Sequence, residues 1–466
     1  MDKQPGPLAR YLQSLFLVML GCGLFTLGSA SAATNQNVDA FSQTIDQNHN
    51  FQFQSAMAID QATGQVLYQH NPDQLEGIAS LSKVITLGVI YDEIKQGKLS
   101  LEDTVPVSDE VSALSTTEGL SNVPLITSTN QYTVSQLMDA AMIESANAAV
   151  VALAEHVGKT EDQFVKNEMT QKIKVAGVTD FKLYSASGLP GNYVNTDNQF
   201  FGYAETDENQ LSAAGYLKVV RNILNDYPEI MTRSLANKKA FAVDDQTTIT
   251  MENQNEMVPG MASGRSEITG GKTGTGDLSG YSLLVQLTIA GRKVLVVTLG
   301  DPTKASRYSD MWQLLDALES QLQWYTIHQT GEIVGGTNKQ VLVANGNQTT
   351  TQLYYGSSVG LFLPKDQLND PQIELGYRDQ LQYDTEGQLQ VSAPLTKDET
   401  VNMEYYHLPF AHSLLSKDGS YELKESMKAK ESISEVSFFV KISRLMNDTI
   451  ANVTQWFQSF FKTMGY

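Results

Sequence analysis

The chain has 466 residues, 41 % of them hydrophobic, and its 32 basic and 52 acidic residues leave a formal charge of -20. That length allows two or three folded units with a sizeable core. The acidity excludes nucleic acid as a partner, since phosphate binding needs clustered Lys and Arg, and it excludes a broad electrostatic hold on anionic lipid.

The chain opens with Lys3 and Arg10 around the start of an apolar run from Leu12 to about Leu27, and Ala30-Ser31-Ala32 fits a small-x-small cleavage site. Residues 1–32 are therefore predicted to be a signal peptide, which implies export to the outer face of the cytoplasmic membrane. An uncleaved anchor and a lipoprotein signal ending at Cys22 are the competing readings. Cys22 is the only cysteine. Cleavage after Ala32 leaves none, so disulfides, a thiol nucleophile and thiolate metal sites are not expected. The six histidines show no ligand spacing, so neither a metal nor a cofactor is expected.

Residues 33–50 are rich in Asn, Gln and Ser and read as a flexible leader. From 51 to 328 one α/β unit is expected. Residues 56–60 and 65–68 flank a turn at Thr63-Gly64, a hairpin pattern. Val84, Leu87, Ile90 and Ile94 predict a helix over 81–96. Helical patterns recur over 134–158 and 209–226. A second hairpin runs from Tyr281 to Ile289 and from Lys293 to Leu299, and a helix is predicted over 306–324. Strands at both ends with helices between predict an α/β sandwich whose sheet joins strands distant in sequence.

After residue 328 short apolar runs alternate with turn signals such as Asn345-Gly346-Asn347, so 329–425 reads as a small β-rich domain. Over 426–466 Phe438, Ile442, Leu445, Ile450, Val453, Trp456 and Phe460 recur at helical spacing, with no unbroken apolar run of spanning length. An amphipathic helix lying in a membrane surface is expected there, against the alternative of a helix docked on its own domain.

Three short motifs carry chemistry. In Ser80-Leu81-Ser82-Lys83 the first and last residues share a helix face. A serine hydroxyl needs a base beside it, and a lysine serves only if its pKa falls. Ser145-Ala146-Asn147 lies between two helical stretches, so that Ser145 could relay a proton and Asn147 hold a substrate amide. Lys272-Thr273-Gly274, followed by Thr275, precedes the strand at 281–289. Gly274 leaves room for a substrate backbone. A phosphate loop is excluded, because Ser266 stands where its first glycine belongs and a strand follows instead of a helix. Arg233 and Arg265 read as ordinary surface charges rather than carboxylate binders.

The three motifs stand in the order S-x-x-K, S-x-N, K-T-G, separated by 65 and 127 residues, a set typical of class A β-lactamases and penicillin-binding proteins. With Ile78-Ala79 before the first motif, Ala148-Ala149 after the second and Ser187-Gly188-Leu189-Pro190 between the second and third, residues 50–325 resemble the D-alanyl-D-alanine carboxypeptidases, the low-molecular-mass penicillin-binding proteins. The resemblance implies a penicillin-binding/β-lactamase-like fold, an antiparallel sheet with helices on both faces plus an all-helical subdomain. It implies that Ser80 is acylated by the penultimate D-Ala of a peptidoglycan stem peptide and expels the terminal D-Ala. Lys83 would be the base and Ser145 would pass a proton to the leaving amine. Lys272 and Thr273 would bind the substrate carboxylate, with Asn147, Gly274 and Thr275 in the same site, and Ser80 and Thr275 N–H groups would form the oxyanion hole. β-Lactam antibiotics would be covalent inhibitors. A class A-like β-lactamase needs an E-x-x-L-N segment that Glu155, Glu161 and Glu168 do not begin. A transpeptidase or endopeptidase using the same site is a second alternative, and a wall-binding protein with a relic site is a third.

Overall fold

The structure, a computed structural model, describes residues 36–127, 132–193, 204, 206–368, 374–378, 382–383 and 389–463. The expected signal segment lies outside them. The expected leader is partly a helix, α1 (Gln36–Asn48), with Ile45 wholly buried in a core cluster. Tyr68 Oη donates to the Asp46 carboxylate at 2.5 Å and His70 Nδ1 lies 2.8 Å from it, so α1 is tied to the strand that carries both rings.

The first unit is built on β1 (Ser55–Asp60) and β2 (Val66–His70), which pair with each other, and on β3 (Ile268–Gly276), β4 (Gly280–Ile289) and β5 (Arg292–Asp301). All pairings are antiparallel, in the order β2-β1-β5-β4-β3. The chain leaves β2, builds the helices and returns more than 190 residues later to complete the sheet. Side chains alternate across a strand. On β5 Leu295, Val297 and Leu299 enter one apolar cluster and Val294 and Val296 the other. Both faces are covered, which is why these strands read as continuous apolar runs instead of alternating.

The sheet leaves β3 at an edge, and the helical subdomain stands beside that edge. Its central helix is α2 (Ser82–Lys95), preceded by a 3-10 turn at Ala79–Leu81. The helical pattern at 134–158 is two helices, α3 (Val134–Ile143) and α4 (Asn147–Gly158), with Ser145 in the turn between them. Helix α3 starts on a capping box in which Thr133 and Gln136 each satisfy the other's backbone N–H.

Helix α5 (Lys304–Gln321) packs Met311, Leu314, Leu315 and Leu318 on the opposite sheet face. It stops three residues short of the predicted end. Leu322 turns extended, and Leu322–His328 forms β6, paired with β7 (Val359–Pro364). Trp324 stacks edge-on against Phe362 and receives the Arg292 guanidinium 4.0 Å above its ring. Its indole is satisfied by strand packing, so apolar spacing alone overstates the helix. The β-rich unit thus begins at the end of α5, ahead of the expected boundary at 329. It includes a long hairpin, β8 (Thr400–His412) with β9 (Ser420–Ala429), which crosses the expected boundary at 425. The last helix, α6, spans Phe438–Thr463.

Candidate active site

The S-x-x-K motif does not sit wholly on a helix. Ala79 has φ 38, and the 3-10 turn it opens presents Ser80 to solvent while Lys83 enters α2 fully buried. Lys83 Nζ lies 2.7 Å from Ser80 Oγ, 2.7 Å from Asn147 Oδ1 and 2.8 Å from the Ser187 carbonyl oxygen. Burial, with the charge of Lys272 adding to it and Glu161 opposing, pushes the Lys83 ammonium well below the ordinary lysine range.

Ser145 has φ 60, a left-handed conformation that costs a non-glycine residue about 1–2 kcal/mol. That conformation reverses the chain between α3 and α4 and aims the hydroxyl at the sheet edge. Lys272 Nζ donates to Ser145 Oγ at 2.8 Å and to the Thr273 carbonyl at 2.9 Å. Burial and then the Arg307 charge bring the Lys272 pKa down to about 7. Thr273 and Thr275, on one face of the edge strand β3, line the cleft, and Lys272, on the other face, reaches it through Ser145.

Ser80, Ser145, Asn147, Thr273 and Thr275 line one cavity of about 340 Å³, and Lys83 and Lys272 reach its hydroxyls from behind. Two of the expected site residues also have partners within the protein. The Asn147 amide is already engaged, its oxygen by Lys83 and its nitrogen by donation to Ser121 O at 3.0 Å. Gly274 faces the turn that carries Ser80, since a Cβ there would stand 2.9 Å from Ile78 O. The small residue lets β3 pack closely against that turn.

Arg233 and Arg265 are not surface charges. Arg265 is buried among Glu267, Asp316 and Glu319, and Arg233 pairs with Asp139 at 2.6 Å. The guanidinium of the cleft is Arg307, on the first turns of α5. It donates to Gly274 O at 3.3 Å and to Thr275 Oγ1 at 3.2 Å and lines the same cavity. Nothing local in the sequence marks it, since its position depends on how α5 crosses the end of β3. The Ser187 carbonyl was equally invisible, being backbone. Gly188 brings it there with φ +84. Among the described residues lining the cavity there is no glutamate, the group a class A-like β-lactamase would need.

The arrangement supplies a hydroxyl with an amine base, a second hydroxyl fed by a second amine, and a fixed cation, which is the equipment for acyl transfer on a substrate that ends in a carboxylate. The family model for D-alanyl-D-alanine carboxypeptidases matches residues 42–303. The chain is 23 % identical to D-alanyl-D-alanine carboxypeptidase DacF of Bacillus subtilis (strain 168), covering 84 % of this chain and 89 % of that one. It is 24 % identical to DacC of Escherichia coli (strain K12), covering 94 % and 96 %. Its fold superposes on the peptidoglycan synthesis regulatory factor (PBP3) of Streptococcus pneumoniae with a TM-score of 0.69 at 25 % identity, over 83 % of this chain and all of that one. The likeness to penicillin binding protein 5 of Haemophilus influenzae, TM-score 0.60 at 20 % identity over 83 % and 99 %, is one of fold.

Proposed function

The chain belongs to the serine-type D-alanyl-D-alanine carboxypeptidase family, and from that membership we propose that Ser80 is the nucleophile with which it removes the terminal D-Ala of peptidoglycan pentapeptides. One observation carries the assignment, the set of partners around Lys83. Asn147 Oδ1 and Ser187 O can only accept, whereas Ser80 can also donate. A neutral Lys83 amine places its two hydrogens on the two carbonyls and keeps its lone pair for the Ser80 proton. The lowered pKa makes that neutral form accessible.

Ser80 Oγ attacks the carbonyl carbon of the penultimate D-Ala, and its proton passes to Lys83. The hydrogen of Ser145 goes to the amine of the departing D-Ala, and Lys272, which donates to Ser145, replaces it. The C–N bond breaks; water then cleaves the ester, its proton returning through Ser145 to Lys272 while Lys83 gives its proton back to Ser80. Thr273, Thr275 and Arg307 in the cleft wall receive the substrate carboxylate, and the Lys272 charge behind Ser145 adds to their pull. The N–H groups of Ser80 and Thr275 serve the developing oxyanion. β-Lactams acylate the same serine.

Export through residues 1–32 and attachment through α6 complete the reading. Helix α6 leaves Phe438, Leu445, Ile450, Trp456 and Phe461 exposed, while no helix among the described residues is long and apolar enough to cross a membrane. Such a helix suits the plane of a lipid surface.

Mass spectrometry after penicillin treatment tests the site. The expected result is one penicilloyl adduct on the peptide containing Ser80, absent from Ser80→Ala. An adduct on another residue overturns the assignment.

A further inference from the structure

Behind the reacting atoms stands a carboxylate that the mechanism above does not use. Glu161 opens the helical turn Glu161–Phe164, where Thr160 Oγ1 accepts the Gln163 N–H at 3.2 Å. The carboxyl group is buried, although the residue as a whole keeps partial exposure. Its Oε1 accepts the Ala186 N–H at 2.8 Å. The carbonyl of the following residue, Ser187, is the one to which Lys83 donates.

Other side chains hold the same short segment. Thr86, one helical turn beyond Lys83, donates to Ala186 O at 2.7 Å. Asn209 Oδ1 accepts the N–H groups of Tyr184 and Ser185, and its amide nitrogen donates to Ser185 O at 2.7 Å. Ser185 Oγ accepts the Gly188 N–H at 2.9 Å. In this set Glu161 is the single carboxylate, and it grips the residue just before the carbonyl that Lys83 needs. It does not line the cleft, so it acts through the segment and not on substrate.

We propose that Glu161 is a positioning residue for the lysine base: by holding the Ala186 N–H it fixes the Ser187 carbonyl, which orients the Lys83 amine with its lone pair toward Ser80. A carboxylate here also sets the charge that Lys83 senses. The charged groups facing it are Lys83, with Lys272 beyond, and the acids Glu155 and Asp162. Burial first, then those two acids, raise the Glu161 pKa to about 7, against the Ala186 N–H and Lys83. An ionised Glu161 favours the Lys83 ammonium, so removing its charge favours the free amine.

This inference rests on Lys83 being the base. The test measures penicillin acylation of the exported form of the full chain, resolved into the rate constant at saturation and the binding constant, across pH 5–9 and beside thermal unfolding. Glu161→Ala is expected to lower the saturated rate by about tenfold or more, because small misplacements of catalytic groups are costly, with binding changed less than twofold. Glu161→Gln keeps an oxygen for the Ala186 N–H. It is expected to hold the rate within about threefold while its acid limb moves to lower pH. Glu161→Ala at the wild-type rate overturns the proposal, as does Glu161→Gln falling as far as Glu161→Ala. Should Glu161→Ala not fold, Thr86→Val, which loosens the same residue, takes its place with the same expectation and the same refuting result. Wild-type chain that is not acylated at Ser80 refutes the underlying reading instead, so the two failures are separable.

Discussion

Gly188→Ala probes the contact that locks the nucleophile's turn. Gly188 has φ +84, and a Cβ there would lie 1.8 Å from Ala79 O, 2.3 Å from Ala79 C and 3.0 Å from Ser80 N. Carbon contacts settle near 3.5 Å, so the two segments must separate by roughly 1.5 Å. The left-handed conformation costs an alanine about 1–2 kcal/mol, and the overpacking about 1–3 kcal/mol more. At roughly 2–4 °C per kcal/mol for a unit of this size, the expected fall in Tm is roughly 4–20 °C. The chemistry should suffer more than the fold. The same movement drives Ser80 off line and draws the Ser187 carbonyl, the neighbour of Gly188, away from Lys83. A displacement of this order costs about 100-fold in rate. Fluorescent-penicillin acylation, measured well below the Tm and beside a melting curve on the same preparation, reads both quantities. A folded Gly188→Ala protein that acylates within fivefold of wild type refutes the argument that this glycine sets the turn.

The two lysines should give opposite pH trends. Lys83 must be neutral to act, so the acylation rate rises with pH as its depressed pKa is passed, whereas the cationic form of Lys272 that helps bind the substrate carboxylate is lost as pH rises through about 7; rate and KM for a D-Ala-D-Ala peptide measured over pH 5–9 should therefore both increase, and a flat KM removes Lys272 from carboxylate binding. Arg307→Gln is expected to raise that KM by roughly 10- to 100-fold, as loss of a charge-assisted contact of about 1.5–3 kcal/mol implies, with a much smaller effect on a substrate whose terminal carboxylate is replaced by an alcohol. An equal effect on both substrates removes the guanidinium from that role. A chain ending at 436 should keep full acylation yet sediment far less with liposomes than the chain carrying α6, and equal sedimentation of the two places the exposed aromatic face elsewhere than on lipid.

Much of the chemistry is written locally. Ser80 and Lys83 sit three residues apart, and a helical turn suffices to make them touch, so their type and spacing already suggest the proposed pairing of a hydroxyl with an amine base. The order of the three motifs, the largely apolar runs of β4 and β5, and the helical spacing of 438–463 are likewise properties of short windows. What the windows do not contain is any long-range distance. Lys272 meets Ser145 across 127 residues, and this happens because β3 closes a sheet begun by β1 and β2. Arg307 enters the cleft only because α5 crosses the end of that edge strand, while Arg233 and Arg265, chemically identical in the sequence, are held by carboxylates away from it. The Ser187 carbonyl and the Ala186 N–H carry no residue type at all, and the left-handed backbone at Ala79 and Ser145 is imposed on residues that do not favour it. The start of strand Leu322–His328 reads as helix because apolar spacing cannot tell which partner will satisfy the backbone, and pairing with Val359–Pro364 decides it. Local sequence determined which groups could react; packing determined which carbonyls, cations and strained turns surround them, since those contacts exist only once remote segments share one cleft.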